Sequence, residues 1–397
     1  MINPSIHGWI DKYFIDQKNE IQPISKEVFY FDLRKSGFLF GTTVTLNSHS
    51  ELEHENWLKG EMSKVRLLDS LFNIYIFNIK KVSATEFIKV TIDFYKEINP
   101  HRFNLLEKIL PINSISINLE NIIDKRIYIN ENVISKNFSN LVTNAFLFID
   151  VLAFQHYLVN HSISEQYLKS IEETILSIIS FALKTKTKKS EYDNLLIKLF
   201  ESSLRYGKLS DSETNNLDTI NLNYFTNEFE KKYFIDLSCL ALWNDKKIEN
   251  EEHFFLIKLA EKLSISEDFV EESIKETHDF IQKYKNKIPY LNKSNVVKSF
   301  YDQTSNKVSI LIIRNKKRLA KEISQSKELM ILLAISTKRD LNESEKKKVK
   351  SQLLDICKTI PSLTLFLIPG GSLLLPLLIK FIPQLLPSSF NENFEKK

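Results

Sequence analysis

Glycine is scarce, with only 7 in 397 residues and none from 61 to 206 or from 208 to 369. Glycine supplies the positive φ of tight turns and the close backbone approach of phosphate-binding loops. Its shortage excludes P-loop and dinucleotide-loop chemistry over most of the chain and favours long helices with few sharp reversals. Cysteine is limited to Cys239 and Cys357, far apart and in no CxxC pairing, which excludes a disulfide framework or a zinc knuckle. No GxSxG or HExxH string is present, and the pairs His49/His54 and His156/His161 point in different directions on a helix. The start, MINPSIHGWIDKYFIDQ, has no basic region leading into a long apolar run, so no cleaved signal peptide is expected and the chain reads as intracellular. An enzyme is not expected, and no cofactor is implied.

What is present is length, phenylalanine and helical periodicity. A chain of 397 residues exceeds the usual size of a single hydrophobic core, and 28 Phe supply bulky core material. Residues 135–160 and 162–184 carry apolar side chains at spacings of three and four, and Ser164 followed by Glu165 suits a helix start. The first of these stretches is apolar enough for a bilayer, but Asn144, Asp150, Gln155 and His156 interrupt it, so a buried bundle helix is the better reading. The segment 28–46, with Gly37 and Gly41, is either an irregular loop or a short hairpin. The expected class is all-α and multi-domain: a helical domain over 1–217, a helical module over 220–288, and a basic helical region with a proline-kinked membrane segment over 289–397. The polar stretch 207–219 marks the first boundary.

Charge is unevenly placed. The net charge is +4, yet residues 301–358 hold 14 Lys plus Arg against 7 Asp plus Glu, a local +7 just ahead of an apolar tail. Such a flank favours the cytoplasmic side of a membrane and anionic head groups, or is simply a solvated helix face. The run RNKKRLAK lacks interleaved aromatics or any RNA-binding signature, and DNA is not an expected partner.

In residues 234–274 an apolar helix ends near Asp245, a turn follows, and a second helix opens with acids. Asp245, Glu249 and Glu252 form a candidate cation site, although acids in the first turn of a helix also cap it and complement its dipole. With Asp245, Ile248 and Glu252 at the motif positions, this stretch resembles the tellurite-resistance B-like domain, Lys246 standing where that family has glycine.

The tail poses the sharpest question. The apolar run at about 363–387 is long enough as one helix, roughly 36 Å, to cross a hydrocarbon core. Pro361, Pro369, Pro376, Pro383 and Pro387 fall within roughly 80° of one helical face, each internal proline freeing the carbonyl four residues before it. That face, with Ser372 and Lys380, must be buried against protein, water or an ion, while Gly370 and Gly371 permit a re-entrant turn. The proline spacing, with Leu341, Glu345 and Phe366 upstream and Leu386, Pro387, Ser388, Ser389 and Phe390 closing it, resembles the leucine-zipper EF-hand transmembrane protein family, which has bacterial relatives described as biofilm-associated. The resemblance implies attachment to the bacterial inner membrane with the bulk of the chain in the cytoplasm, and lipid as a partner. It also implies self-association or another membrane protein at the proline face. More distantly it implies cation or proton exchange and ribosome contact. No EF-hand loop accompanies it. The expected role is a membrane-associated scaffold or sensor; the alternatives are a part of an exchange system, a ribosome-associated protein, or a wholly soluble scaffold with the tail folded into its own core.

Overall fold

The computed structural model describes residues 2–17, 24–46, 57–80, 82–98, 114–134, 141–189, 193–194, 197–198, 200–201, 217–243, 248–285, 308–309, 311–313, 315–336 and 339–360, with 363, 366, 377–379 and 382 in the tail. Among these residues the secondary structure is helical, without a strand.

The helices are α1 (Trp9–Gln17), α2 (Lys26–Lys35), α3 (Lys59–Asn78), α4 (Ala84–Ile98), α5 (Ile115–Ile134), α6 (Leu141–Asn160), α7 (Glu165–Thr185), α8 (Glu228–Leu242), α9 (Asn250–Leu263), α10 (Glu267–Tyr284), α11 (Lys316–Gln325), α12 (Lys327–Ser336) and α13 (Glu343–Thr359). Their starts follow capping chemistry. Ser164 accepts from the Tyr167 amide at 3.1 Å, Ser266 from Phe269 at 3.3 Å, and Asn227 forms a reciprocal box with Glu230. The segment after α2 is an irregular turn, with Phe38–Phe40 in a 3-10 turn between Gly37 and Gly41, both at positive φ. A Cβ on Gly37 would meet the Thr42 carbonyl oxygen at 2.4 Å, so no other residue fits that turn.

The centre of the fold is α6, packed against α3 and the Phe38–Phe40 turn. Residues 147–154 are buried on every side, which a helix permits only when other helices surround it. This is why the segment reads almost like a membrane span. Its one charge there is neutralised: Asp150 accepts from Arg126 Nε at 2.6 Å and Nη2 at 2.9 Å, and from the Tyr95 hydroxyl at 3.2 Å. Each fully buried Leu, Ile or Phe contributes about 1.5–3 kcal/mol, whereas an unpaired buried carboxylate would cost several.

Helices α8, α9 and α10 pack on α7 and α2, so the regions on either side of the 207–219 stretch share buried polar links. Arg34 on α2 donates to Asp236 on α8 at 2.9 Å, to Ser273 on α10 at 2.6 Å and to Glu272 at 2.7 Å, and Tyr30 donates to Asp236 at 2.6 Å. The guanidinium also lies 4.4 Å from the Phe269 ring centroid. Tyr167 on α7 donates to Glu230 on α8 at 2.6 Å. Burial pushes the Glu230 carboxyl up, against the hydrogen bond from Tyr167. Both cysteines are free and buried.

Candidate functional site

The acidic turn before α9 has a structural role. Glu249 is the N-cap and Glu252 the third helical residue; the Glu252 carboxylate accepts from the Glu249 amide at 3.0 Å in a capping box. Glu252 is buried, and desolvation raises its pKa while the Glu249 amide hydrogen bond opposes this. Asp245 lies outside the described residues. Among the described residues no three His, Cys, Asp or Glu side chains converge as metal ligands.

The C-terminal helices build a second site. Helix α13 opens on Asn342, whose side chain accepts from the Glu345 amide at 2.9 Å while Glu345 accepts from the Asn342 amide at 2.8 Å. Arg339 clamps the same carboxylate with both terminal nitrogens, at 2.8 and 2.7 Å. The Arg339 hydrogen bond, with the Asn342 amide second, holds the Glu345 carboxyl down at about 2. On the facing helix α12, Glu328 accepts from Lys348 at 2.6 Å and from Gln352 at 2.8 Å, and its pKa is lowered chiefly by the Lys348 hydrogen bond. Leu341, Val349, Leu353 and Cys357 are buried, and burial pushes the Cys357 thiol up to about 12. The unit also meets the rest of the molecule. Lys350 has its pKa lowered by desolvation and by Lys169 of α7, against Glu173 and Glu172 of the same helix.

In the tail, Leu363, Phe366, Leu377, Leu378, Ile379 and Ile382 are all buried in the apolar core. Leu377, Leu378 and Ile379 are consecutive and helical, so they span well over half a turn. Their apolar surface is therefore covered by protein, not by one lipid-facing side. Pro361, Pro369, Gly370, Gly371, Ser372, Pro376, Lys380, Pro383 and Pro387, with the closing Leu386, Ser388, Ser389 and Phe390, lie outside the described residues. Among the described residues no helix is long and apolar enough to cross a membrane.

The comparison that bears on this unit is with protein families. Residues 341–397 match the family described as LETM1-like, RBD. The abbreviation stands for ribosome-binding domain, and the family is that of the leucine-zipper EF-hand transmembrane proteins. The LETM1-like match begins at the buried Leu341, one residue before the Asn342 cap, and takes in the whole of α13 and the apolar tail. No curated protein and no solved structure matches the chain.

Two further polar features are present among the described residues. A polar cleft of about 390 Å³ lies at the N-terminal ends of α8 and α10, where Lys231 and Lys232 are offset by Glu228, Asp268 and Glu272. Two cations face three acids there, of which Glu272 is already paired with Arg34, so the cleft selects no sign of ligand. The Arg339–Glu345 clamp was not foreseen from the residues, although an Arg six positions before a capping Glu is a readable signal.

Proposed function

We propose that the chain is a helical scaffold, without catalytic chemistry of its own, that docks on the ribosome through its C-terminal unit. The observation that carries this is the match of residues 341–397 to the LETM1-like ribosome-binding domain. Two features support it: the local excess of positive charge over 301–358, suited to a ribonucleoprotein surface, and the capped, clamped start of α13, which pre-organises the segment for docking. The helices α8, α9 and α10, with their resemblance to a tellurite-resistance B-like module, belong in this reading to the scaffold. Sucrose-gradient sedimentation of the full-length protein with purified bacterial ribosomes tests it. Co-migration with a ribosomal particle at moderate salt is expected; exclusive recovery at the top of the gradient would contradict it.

A second reading places the same unit at the cytoplasmic face of a bacterial inner membrane, favoured by the apolar run at about 363–387 directly after the basic stretch. Carbonate washing of membrane fractions separates the two: retention of the full chain in the pellet supports membrane attachment, and release with the wash removes it.

A further inference from the structure

The cations of the C-terminal unit differ in how they are neutralised. On α13, half-buried Lys346 pairs with Glu343 at 2.9 Å, Lys348 with Glu328 at 2.6 Å and Lys358 with Asp355 at 2.8 Å, while exposed Lys347 forms no ion pair with a described residue. On α11, Lys316, Lys317, Arg318 and Lys321 are all exposed, and none forms an ion pair with a described residue. At 100° per residue Lys317, Lys321 and Arg318 share one face, opposite Leu319 and Ile323, which are 0% and 1% exposed. The one acid in the helix, Glu322, is half-buried at the edge of that face, one turn after Arg318, and forms no ion pair with a described residue.

This charge is placed against the helix's own preferences. Lys316, Lys317 and Arg318 occupy the first turn, where the dipole is positive; no acid is present there and Asn315 makes no side-chain cap. By contrast, α9, α10 and α13 each carry two acids in the first turn. Like charges at Lys317 and Lys321, one turn apart, add repulsion. A polyanion laid along the face would relieve both penalties at once. A local rule broken without compensation among the described residues is what a binding surface leaves in a sequence.

We propose that the basic face of α11 binds the phosphate backbone of structured RNA, as a contact separate from the matched segment, which begins only at residue 341. The proposal rests on the ribosome reading for its source of RNA. Lipid is the weaker occupant, because a helix that binds at a bilayer surface inserts its apolar face, and the apolar face of α11 is already spent in the core of the protein. What remains for a partner is charge, with Ile313, just before α11 in the chain, as a large exposed apolar residue among those described. Such a face reads phosphate and not sequence, so binding should be strongly salt-dependent and sequence-tolerant.

The test compares the full-length protein with the variant K317Q/R318Q/K321Q, which leaves Leu319 and Ile323 in place. Binding to protein-free ribosomal RNA, to intact ribosomes and to phosphatidylcholine–phosphatidylserine vesicles is measured across a salt series, with thermal unfolding as the control for folding. The expected result is RNA binding whose log–log salt slope falls by roughly 2 to 3 in the variant, with an unfolding midpoint equal to or above the wild type's and with retention of binding in K317R/K321R. Ribosome binding that persists while the variant's RNA affinity and slope equal the wild type's overturns this inference and leaves the proposed function standing. RNA binding lost in the variant, together with no co-sedimentation by either protein, upholds this inference and removes the proposed function. Binding of the wild type to anionic vesicles but not to RNA also overturns it.

Discussion

The two ends of this molecule differ in where they place their ion pairs: among the described residues only the body buries any. The body formed by α1–α10 carries, beside surface pairs such as Lys96–Asp93, pairs that are fully buried: Arg34 and Asp236 are each 1% exposed, and Arg126 and Asp150 are 7% and 0% exposed. In the C-terminal unit they lie at the surface, with Lys348 and Glu328 about half exposed. Buried pairs bind distant parts of the chain to one geometry, since either partner alone would be an unneutralised charge in a medium that solvates it poorly. Surface pairs trim a charge pattern at little gain in stability, and so leave it open to partners. The buried pairs therefore fix the packing of the body, and the C-terminal unit keeps its charge pattern at the surface.

The comparison can be broken hardest at Arg34. Replacing it with Met leaves Asp236 buried with only Tyr30 as a hydrogen-bond donor among the side chains described, and a loss of about 3–5 kcal/mol is expected in urea unfolding. Next in size is Leu378→Ala. Residue 378 is 0% exposed, so a loss of about 2–5 kcal/mol is expected in detergent-free buffer; an unchanged midpoint would mean that its side chain is not in the protein core. Asn342→Ala removes one half of the α13 capping box and should cost about 1 kcal/mol, read in the same assay. Smallest is Lys348→Ala, which should leave the midpoint within error although it breaks a 2.6 Å pair.

Acid sharpens the same contrast. The Glu345 carboxyl is held at about 2, below its unfolded value of roughly 4.3, so its contribution is complete above that ordinary value and is lost as the pH falls toward about 2. Arg339→Gln should therefore lower the neutral plateau slightly and leave the strongly acid end unchanged, so that the acid limb of the stability profile flattens, as followed by circular dichroism at α-helical wavelengths.

Local signals were legible in the sequence, and long-range pairings were not. The periodicity of 135–160 and 162–184 pointed to α6 and α7, and Ser164 marked the start of α7, because caps and stripes are properties of neighbouring residues. Glu252 three residues after Glu249 is likewise a local signature. Asp150 was visible as an interruption of an apolar helix, but its partner Arg126 sits a helix away and could not be named before the fold was known. Arg34 was hidden in a stretch read as a loop or hairpin, whose first part is α2 and whose glycines shape only the turn after it. The tail was the hardest case. Projecting its prolines on one straight helix separated a proline face from a lipid face, yet residues 363, 366 and 382 adopt 3-10 turns and 377–379 are helical and buried throughout. Hydropathy reports that a segment avoids water; it does not report whether lipid or protein takes the water's place.

The central claim is that the ribosome is met by the C-terminal unit while the ion-paired body stays clear of it. Cross-linking of the full-length protein bound to ribosomes, followed by mass spectrometry, tests this most directly. Cross-links to ribosomal components should concentrate at the lysines of α11 and α13. Cross-links spread evenly over α1–α10, or none at the C-terminal lysines of a protein that does bind, would contradict it.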